Sequence, residues 1–303
     1  MTIIWMAAVL VLAVACACWW LARRPLDAAA WSDRRALVRA GLKRRTVPSP
    51  AGPQNVFVGG SGPVLMLLHG AGDHAGTWSR VAPALAARHT LVVPDLAGHG
   101  ASAPATGPID TGAVVAGLEA VLDRLGGPGP VTVLGNSLGA WMALVLARRH
   151  PGRIRLAVAV DGGPLKHQDA GVNLLPRSRA EAKAVLALTR DGSAPPVPDL
   201  VLDDMVRRSG TGPMARLAAA AASMEAWLMD EAQLRDLTLP VRLIWGASDR
   251  LVPLDYARRL AAALPDAGLV VLDRCGHVPQ REAPARFLAA LQGLLHEPDP
   301  SRS

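Results

Sequence analysis

The pentad Gly135-Asn136-Ser137-Leu138-Gly139 sets a serine between two glycines. It follows the apolar run Val131-Thr132-Val133-Leu134 and precedes Ala140, Trp141, Leu144 and Val145, spaced as on one side of a helix. A serine on so sharp a strand-to-helix turn is exposed for attack on a carbonyl. The glycines let strand and helix approach, and the helix N-terminus favours developing negative charge. The five-residue pattern arises by chance in a glycine-rich chain, so the strand–turn–helix context gives it its weight. A second small-residue loop, His69-Gly70-Ala71-Gly72, also follows an apolar run. The backbone N–H groups of Ala71 and Leu138 are the candidates to hold an oxyanion, with His69 bracing the loop.

A serine nucleophile needs a base, and the chain has eight histidines. His277, in Asp273-Arg274-Cys275-Gly276-His277, stands directly after the last apolar run. His99, between Gly98 and Gly100, is expected to fix a loop, and His89, His150 and His296 read as surface residues at helix ends. His74 and His167 lie near the expected mouth, within reach of a substrate. The orienting acid should precede the histidine. Asp249, after the penultimate apolar run, fits that order. Asp161, after the fourth run, is a rival, and Asp255 reads better as a helix N-cap.

These residues need a frame. Apolar runs at Val64–Leu68, Thr90–Pro94, Val131–Leu134, Ile154–Val160, Val241–Trp245 and Leu269–Leu272 read as strands. Helical patterns alternate with them at Thr77–Arg88, Asp110–Leu125, Leu138–Arg149, Leu254–Leu264 and Ala283–Leu295. Short apolar strands separated by helices predict an α/β fold: a mostly parallel sheet with helices on both faces. Residues 165–239 break the rhythm. They read as helices at about Arg179–Leu188, Asp199–Arg208 and Pro213–Met229, a helical cap inserted before the penultimate strand. The core is then residues 54–164 and 240–298.

The N-terminus reads differently. Ile3–Leu21 carries no charge, and as a helix it would span roughly 28 Å, close to the hydrocarbon thickness of a bilayer. Trp5, Trp19 and Trp20 sit at its ends. No Lys or Arg precedes it, which argues against a secretory signal. Residues 1–22 are therefore expected to form a transmembrane anchor. The formal net charge is +7, and most of that excess lies between Arg23 and Arg45, where eight basic residues face only Asp27 and Asp33. Charge so placed suits a membrane surface and excludes a basic nucleic-acid-binding domain. Residues 23–53 read as a basic juxtamembrane linker, in which Trp31, Val38 and Leu42 suit a short interfacial helix as well as a solvated chain. The basic flank on the C-terminal side places the catalytic domain in the cytoplasm. Cys275 is the one cysteine outside the apolar run, so the globular part holds no internal disulfide.

From about Val56 to Leu295 the chain resembles the α/β-hydrolase family, through LLHGAG with Trp78 downstream, PDLAGHGAS, LGNSLGA, WGASDRLVP and CGHVPQREAP. The resemblance implies acyl-type hydrolysis with Ser137, His277 and Asp249 in the triad roles. It implies no metal or organic cofactor and a small-molecule ester as substrate. Ala140 stands where many relatives place another glycine. A serine nucleophile sets aside the dehalogenase and epoxide-hydrolase branches. Cleavage of a carbon–carbon bond, perhydrolysis and acyl transfer use the same triad, and a non-catalytic binding protein on this fold is the remaining alternative. Leu174, Leu175, Met205, Met214, Leu217, Met224, Trp227, Leu228 and Met229 are expected to pack the cap, with some lining a lipophilic acyl pocket.

Overall fold

The computed structural model describes residues 23–166 and 171–295, with residues 5, 6, 9–12 and 19 before them. Its strands are β1 Lys43–Val47, β2 Gln54–Gly60, β3 Val64–Leu68, β4 Thr90–Pro94, β5 Val131–Asn136, β6 Ile154–Val160, β7 Val241–Gly246 and β8 Ala267–Leu272. They form one sheet in the order β1-β2-β4-β3-β5-β6-β7-β8. β1 and β2 pair antiparallel, as do β2 and β4, and every other pairing is parallel. Side chains on a strand alternate between faces, so successive residues of β3 feed two cores. Met66 and Leu68 pack on one face with Val133, Trp245 and Leu144. Leu65 and Leu67 pack on the other with Trp78, Leu91 and Phe287.

The helices flanking the core are α1 Pro25–Arg39, α2 Ala82–Ala86, α3 Thr111–Leu125 and α4 Leu138–Arg149. Between β6 and β7 follow α5 Arg179–Thr189, α6 Asp199–Ser209, α7 Pro213–Ala218, α8 Ala221–Glu225 and α9 Glu231–Arg235, and no strand is found among the described residues there. α10 Leu254–Ala263, α11 Pro279–Glu282 and α12 Pro284–Leu295 complete the chain.

Several expectations are corrected. The helix expected over Thr77–Arg88 divides into a 3₁₀ turn, Ala75–Trp78, and α2, which starts at Ala82 with Pro83 in its first turn, the position where proline's missing N–H costs nothing. The single helix expected over Pro213–Met229 is broken by tertiary anchors: Ser223 Oγ accepts from Thr111 N, and Trp227 O accepts from Trp141 Nε1.

The stretch expected to be a linker, residues 23–53, is largely folded. α1 buries Ala30 and Leu37, and β1 pairs with β2 along Lys43–Val47. Lys43, Arg44 and Arg45 are exposed on this edge strand, where charge blocks further strand pairing. Their basic excess thus has a role in the sheet.

The membrane-anchored single pass expected of residues 1–22 is also corrected, because the structure does not support it. Most of Ile3–Leu21 lies outside the described residues, and among the described residues no helix is long and apolar enough to cross a membrane.

Candidate active site

Ser137 occupies the turn between β5 and α4 with φ 56° and ψ −118°. A non-glycine residue in this region stores strain of about 1–3 kcal/mol, which the surrounding packing must hold. The packing is tight. A Cβ on Gly135 would lie 2.0 Å from Gly139 O, and one on Gly139 would lie 2.3 Å from Leu68 O. Ser137 N donates to Val160 O at 2.8 Å, which ties the turn to the adjacent strand. Leu138 opens α4, so its N–H belongs to the first turn, which has no intrahelical acceptor. Ala71 lines the same cavity as Ser137.

His277 lies on the loop between β8 and α11. Its Nδ1 is 2.7 Å from Asp249 Oδ2, and both residues are buried. Asp249 follows β7. Its other carboxylate oxygen accepts from Leu251 N at 2.9 Å and Val252 N at 3.0 Å, so both oxygens are aimed. The bond to Asp249 puts the proton of the neutral imidazole on Nδ1 and leaves Nε2 as the acceptor. The end of α5 holds both loops, because Leu188 O accepts from Arg250 N at 2.9 Å and Thr189 O accepts from His277 N at 2.8 Å. Helix C-terminal carbonyls lack intrahelical partners, so here they staple the segment after β6 to the acid and histidine loops.

Ser137 and His277 line one cavity of about 510 Å³. Its walls include Leu174, Met205, Met214, Leu251 and Val278, so it is largely apolar. Among the described lining residues, Arg208 pairs with Asp27 at 3.2 Å and Arg281 with Asp33 at 2.9 Å. His74 also lines the cavity, and burial lowers its pKa to about 4. His167 and His296 lie outside the described residues.

The other histidines brace loops. His69 Nδ1 lies 2.8 Å from Gly70 O, and Nε2 accepts from Leu96 N at 2.9 Å. His99 Nδ1 lies 3.0 Å from Ala97 O, and Nε2 accepts from Gly72 N at 3.1 Å. Burial, then the neighbouring His69, brings the His99 pKa down to about 3. Both rings are thus neutral and fixed in one tautomer by their partners. The Cys275 thiol is buried, and that burial, with Glu282 nearby, pushes its pKa up to about 12. It is no rival nucleophile.

Three features of the site go beyond the sequence reading, in which Asp161 stands as a rival acid and Trp31 and Val38 suit a short helix. Asn136 Nδ2 donates to His277 O at 2.8 Å and to Val160 O at 3.2 Å, which ties the serine turn to the histidine loop across 141 residues. No local pattern signals this. Asp161 is fully buried, with φ 48°. Its Oδ1 accepts from Gly246 N at 2.8 Å, while Oδ2 meets no donor among the described residues. Burial first, then the charge of Asp249, raises its pKa well above the usual carboxylate range. A protonated Asp161 can donate to its neighbour, whereas two carboxylates there would repel. Asp161, Asp249 and His277 could each offer an atom to a cation within 4.8 Å of one another. The His277 nitrogen bonded to Asp249 would have to give up that bond to do so, which favours a proton-sharing group over a metal cage. The third feature is α1, whose residues Leu26, Ala29, Ala30 and Asp33 line the cavity. Their helical spacing was its only sequence signal.

A model of the alpha/beta hydrolase family matches residues 65–290. A pimeloyl-[acyl-carrier protein] methyl ester esterase of Aromatoleum aromaticum is 36% identical over 72% of this chain and 92% of that protein. A 2-hydroxy-6-oxononadienedioate/2-hydroxy-6-oxononatrienedioate hydrolase of Cupriavidus pinatubonensis is 28% identical over 76% of this chain and 85% of that protein. A solved structure described as a membrane phospholipase A, a bacterial virulence factor, superposes with a TM-score of 0.76 at 26% identity, covering 98% of this chain and all of that one.

Proposed function

From the premise that this chain belongs to the α/β-hydrolase family, we propose that it is a serine esterase acting on a carboxylic ester with a lipophilic acyl group. The observation that carries this reading is the 2.7 Å Asp249–His277 pair in a site where His277 and the strained Ser137 line one apolar cavity. In this mechanism Ser137 Oγ attacks the ester carbonyl carbon while His277 Nε2 takes its proton. Asp249 holds the imidazolium that forms. The N–H groups of Ala71 and Leu138 receive the oxyanion of the tetrahedral intermediate. Collapse breaks the bond to the leaving alkoxide, which takes the proton from His277 and departs as the alcohol. Water, deprotonated by His277, then attacks the acyl-enzyme, and the acid is released as Ser137 regains its proton.

The comparisons include both esterases and a 2-hydroxy-6-oxononadienedioate hydrolase, and the cavity favours the ester reading. One relative, 36% identical, is a methyl ester esterase, and one structure that superposes with a TM-score of 0.76 is described as a phospholipase A. The 2-hydroxy-6-oxononadienedioate hydrolase acts on a dicarboxylate. Here both arginines lining the cavity are already paired with aspartates of α1, so neither stands ready for a substrate carboxylate. Steady-state hydrolysis of p-nitrophenyl esters from acetate to palmitate tests the proposal. Turnover that rises with acyl length before falling agrees with it, and no turnover of any ester by folded protein contradicts it.

A further inference from the structure

The family match begins at residue 65, yet α1, residues 25–39, forms part of the cavity wall. The helix has two sides. Leu26, Ala29, Ala30 and Asp33 lie on the side that lines the cavity. Leu37, one turn beyond Asp33, continues that side into the core beside Trp78 and is fully buried. Val38 lies nine residues after Ala29, half a helical rotation away, and is 54% exposed.

The helix is held at both levels of the molecule. On the core side, Asp33 pairs with Arg281 at 2.9 Å and accepts from Ser79 Oγ at 3.4 Å. On the segment after β6, Leu26 N donates to Asp204 Oδ2 at 3.0 Å, and Asp27 pairs with Arg208 at 3.2 Å. These anchors pair the charges of Asp33, Arg208 and Arg281, which line the cavity. Besides Asp33, whose charge is paired with Arg281, α1 presents one leucine and two alanines to the cavity.

We propose that α1 is a specificity-determining wall of the acyl pocket, and that the chain of a lipophilic ester lies along Leu26, Ala29 and Ala30. The inference rests on the ester-hydrolase reading and extends it to a segment outside the matched family region. The short side chains of Ala29 and Ala30 leave this wall of the cavity less filled than larger residues would. A larger side chain at Ala29 would take up space on that wall of the cavity.

The test uses two fluorophosphonate probes, one with an ethyl and one with an octyl chain, and reads the ratio of their labelling rates on purified protein. Ala29→Phe is expected to lower the octyl-to-ethyl ratio by at least about tenfold, the discrimination typical of a filled apolar subsite. Ala29→Leu should lower it by a smaller factor, which guards against a folding defect from the larger change. Val38→Phe, on the opposite side, should leave the ratio at the wild-type value. A ratio unchanged by both Ala29 variants overturns the role of α1 while leaving the esterase reading intact. Wild-type protein that neither probe labels removes the reading on which both rest.

Discussion

Replacing Asp161 with asparagine removes one buried proton-binding site with little change of shape. Asparagine tolerates a positive φ better than most residues, so the 48° angle at this position adds little strain. Its amide can be oriented to accept from Gly246 N, as Asp161 Oδ1 does, and to donate toward Asp249. The sign follows from proton counting. The carboxyl is raised in the folded state by burial first, then by Asp249, with Glu282 adding to the same direction. Above the unfolded value near 4, the folded state therefore binds more protons than the unfolded state. The contribution of Asp161 to stability then falls as pH rises, with a limiting slope of about 1.4 kcal/mol per unit, until its folded pKa is passed. Asp161→Asn carries no such loss. The variant's unfolding free energy minus that of the wild type should therefore grow as pH rises above about 4, at up to about 1.4 kcal/mol per unit. Urea unfolding of both proteins, followed by tryptophan fluorescence at half-unit steps from pH 4 to 8, measures this difference. A difference that stays flat across the range would falsify the assignment of a protonated acid at Asp161.

Further outcomes follow from the site. Asp249→Asn should leave His277 without its orienting carboxylate and lower kcat by about 10³–10⁴, with KM little changed, in an ester assay. Gly135→Ala places a methyl 2.0 Å from Gly139 O and should destabilise the fold by at least about 3 kcal/mol, read as a drop in Tm with loss of labelling. His99 has its pKa lowered to about 3 by burial first and His69 next, so below pH ~6.5 the unfolded chain takes up a proton that the folded one refuses. Stability is full above that pH and falls by about 1.4 kcal/mol per unit toward pH 3. His99→Gln should show a shallower acid slope in the same unfolding assay, and parallel slopes would contradict it.

The parallel part of the sheet was legible because strands buried on both faces are continuous apolar runs, as in Val64–Leu68 and Ile154–Val160. β1 was not, since Lys43, Arg44 and Arg45 make it polar for the same reason that it survives at an edge. α1 was hidden by its arginines, with only Leu26, Ala30 and Leu37 marking the buried side. The apolar Ile3–Leu21 run invited a membrane reading by composition alone, and no helix among the described residues bears it out. At the candidate site, the loop positions of Ser137, Asp249 and His277 were readable because each follows a strand with its own turn residues. The tether from Asn136 to His277 O and the neighbourhood of Asp161 arise only when distant loops meet, and nothing in local spacing encodes such meetings.

The central claim is that Ser137 is the nucleophile of an acyl-transfer site. It is tested most directly by treating the purified protein with a fluorophosphonate and locating the adduct by peptide mass spectrometry. One adduct is expected, on the peptide that contains Ser137, and none in the Ser137→Ala variant. An adduct on another serine, or equal labelling of the Ser137→Ala variant, would contradict it.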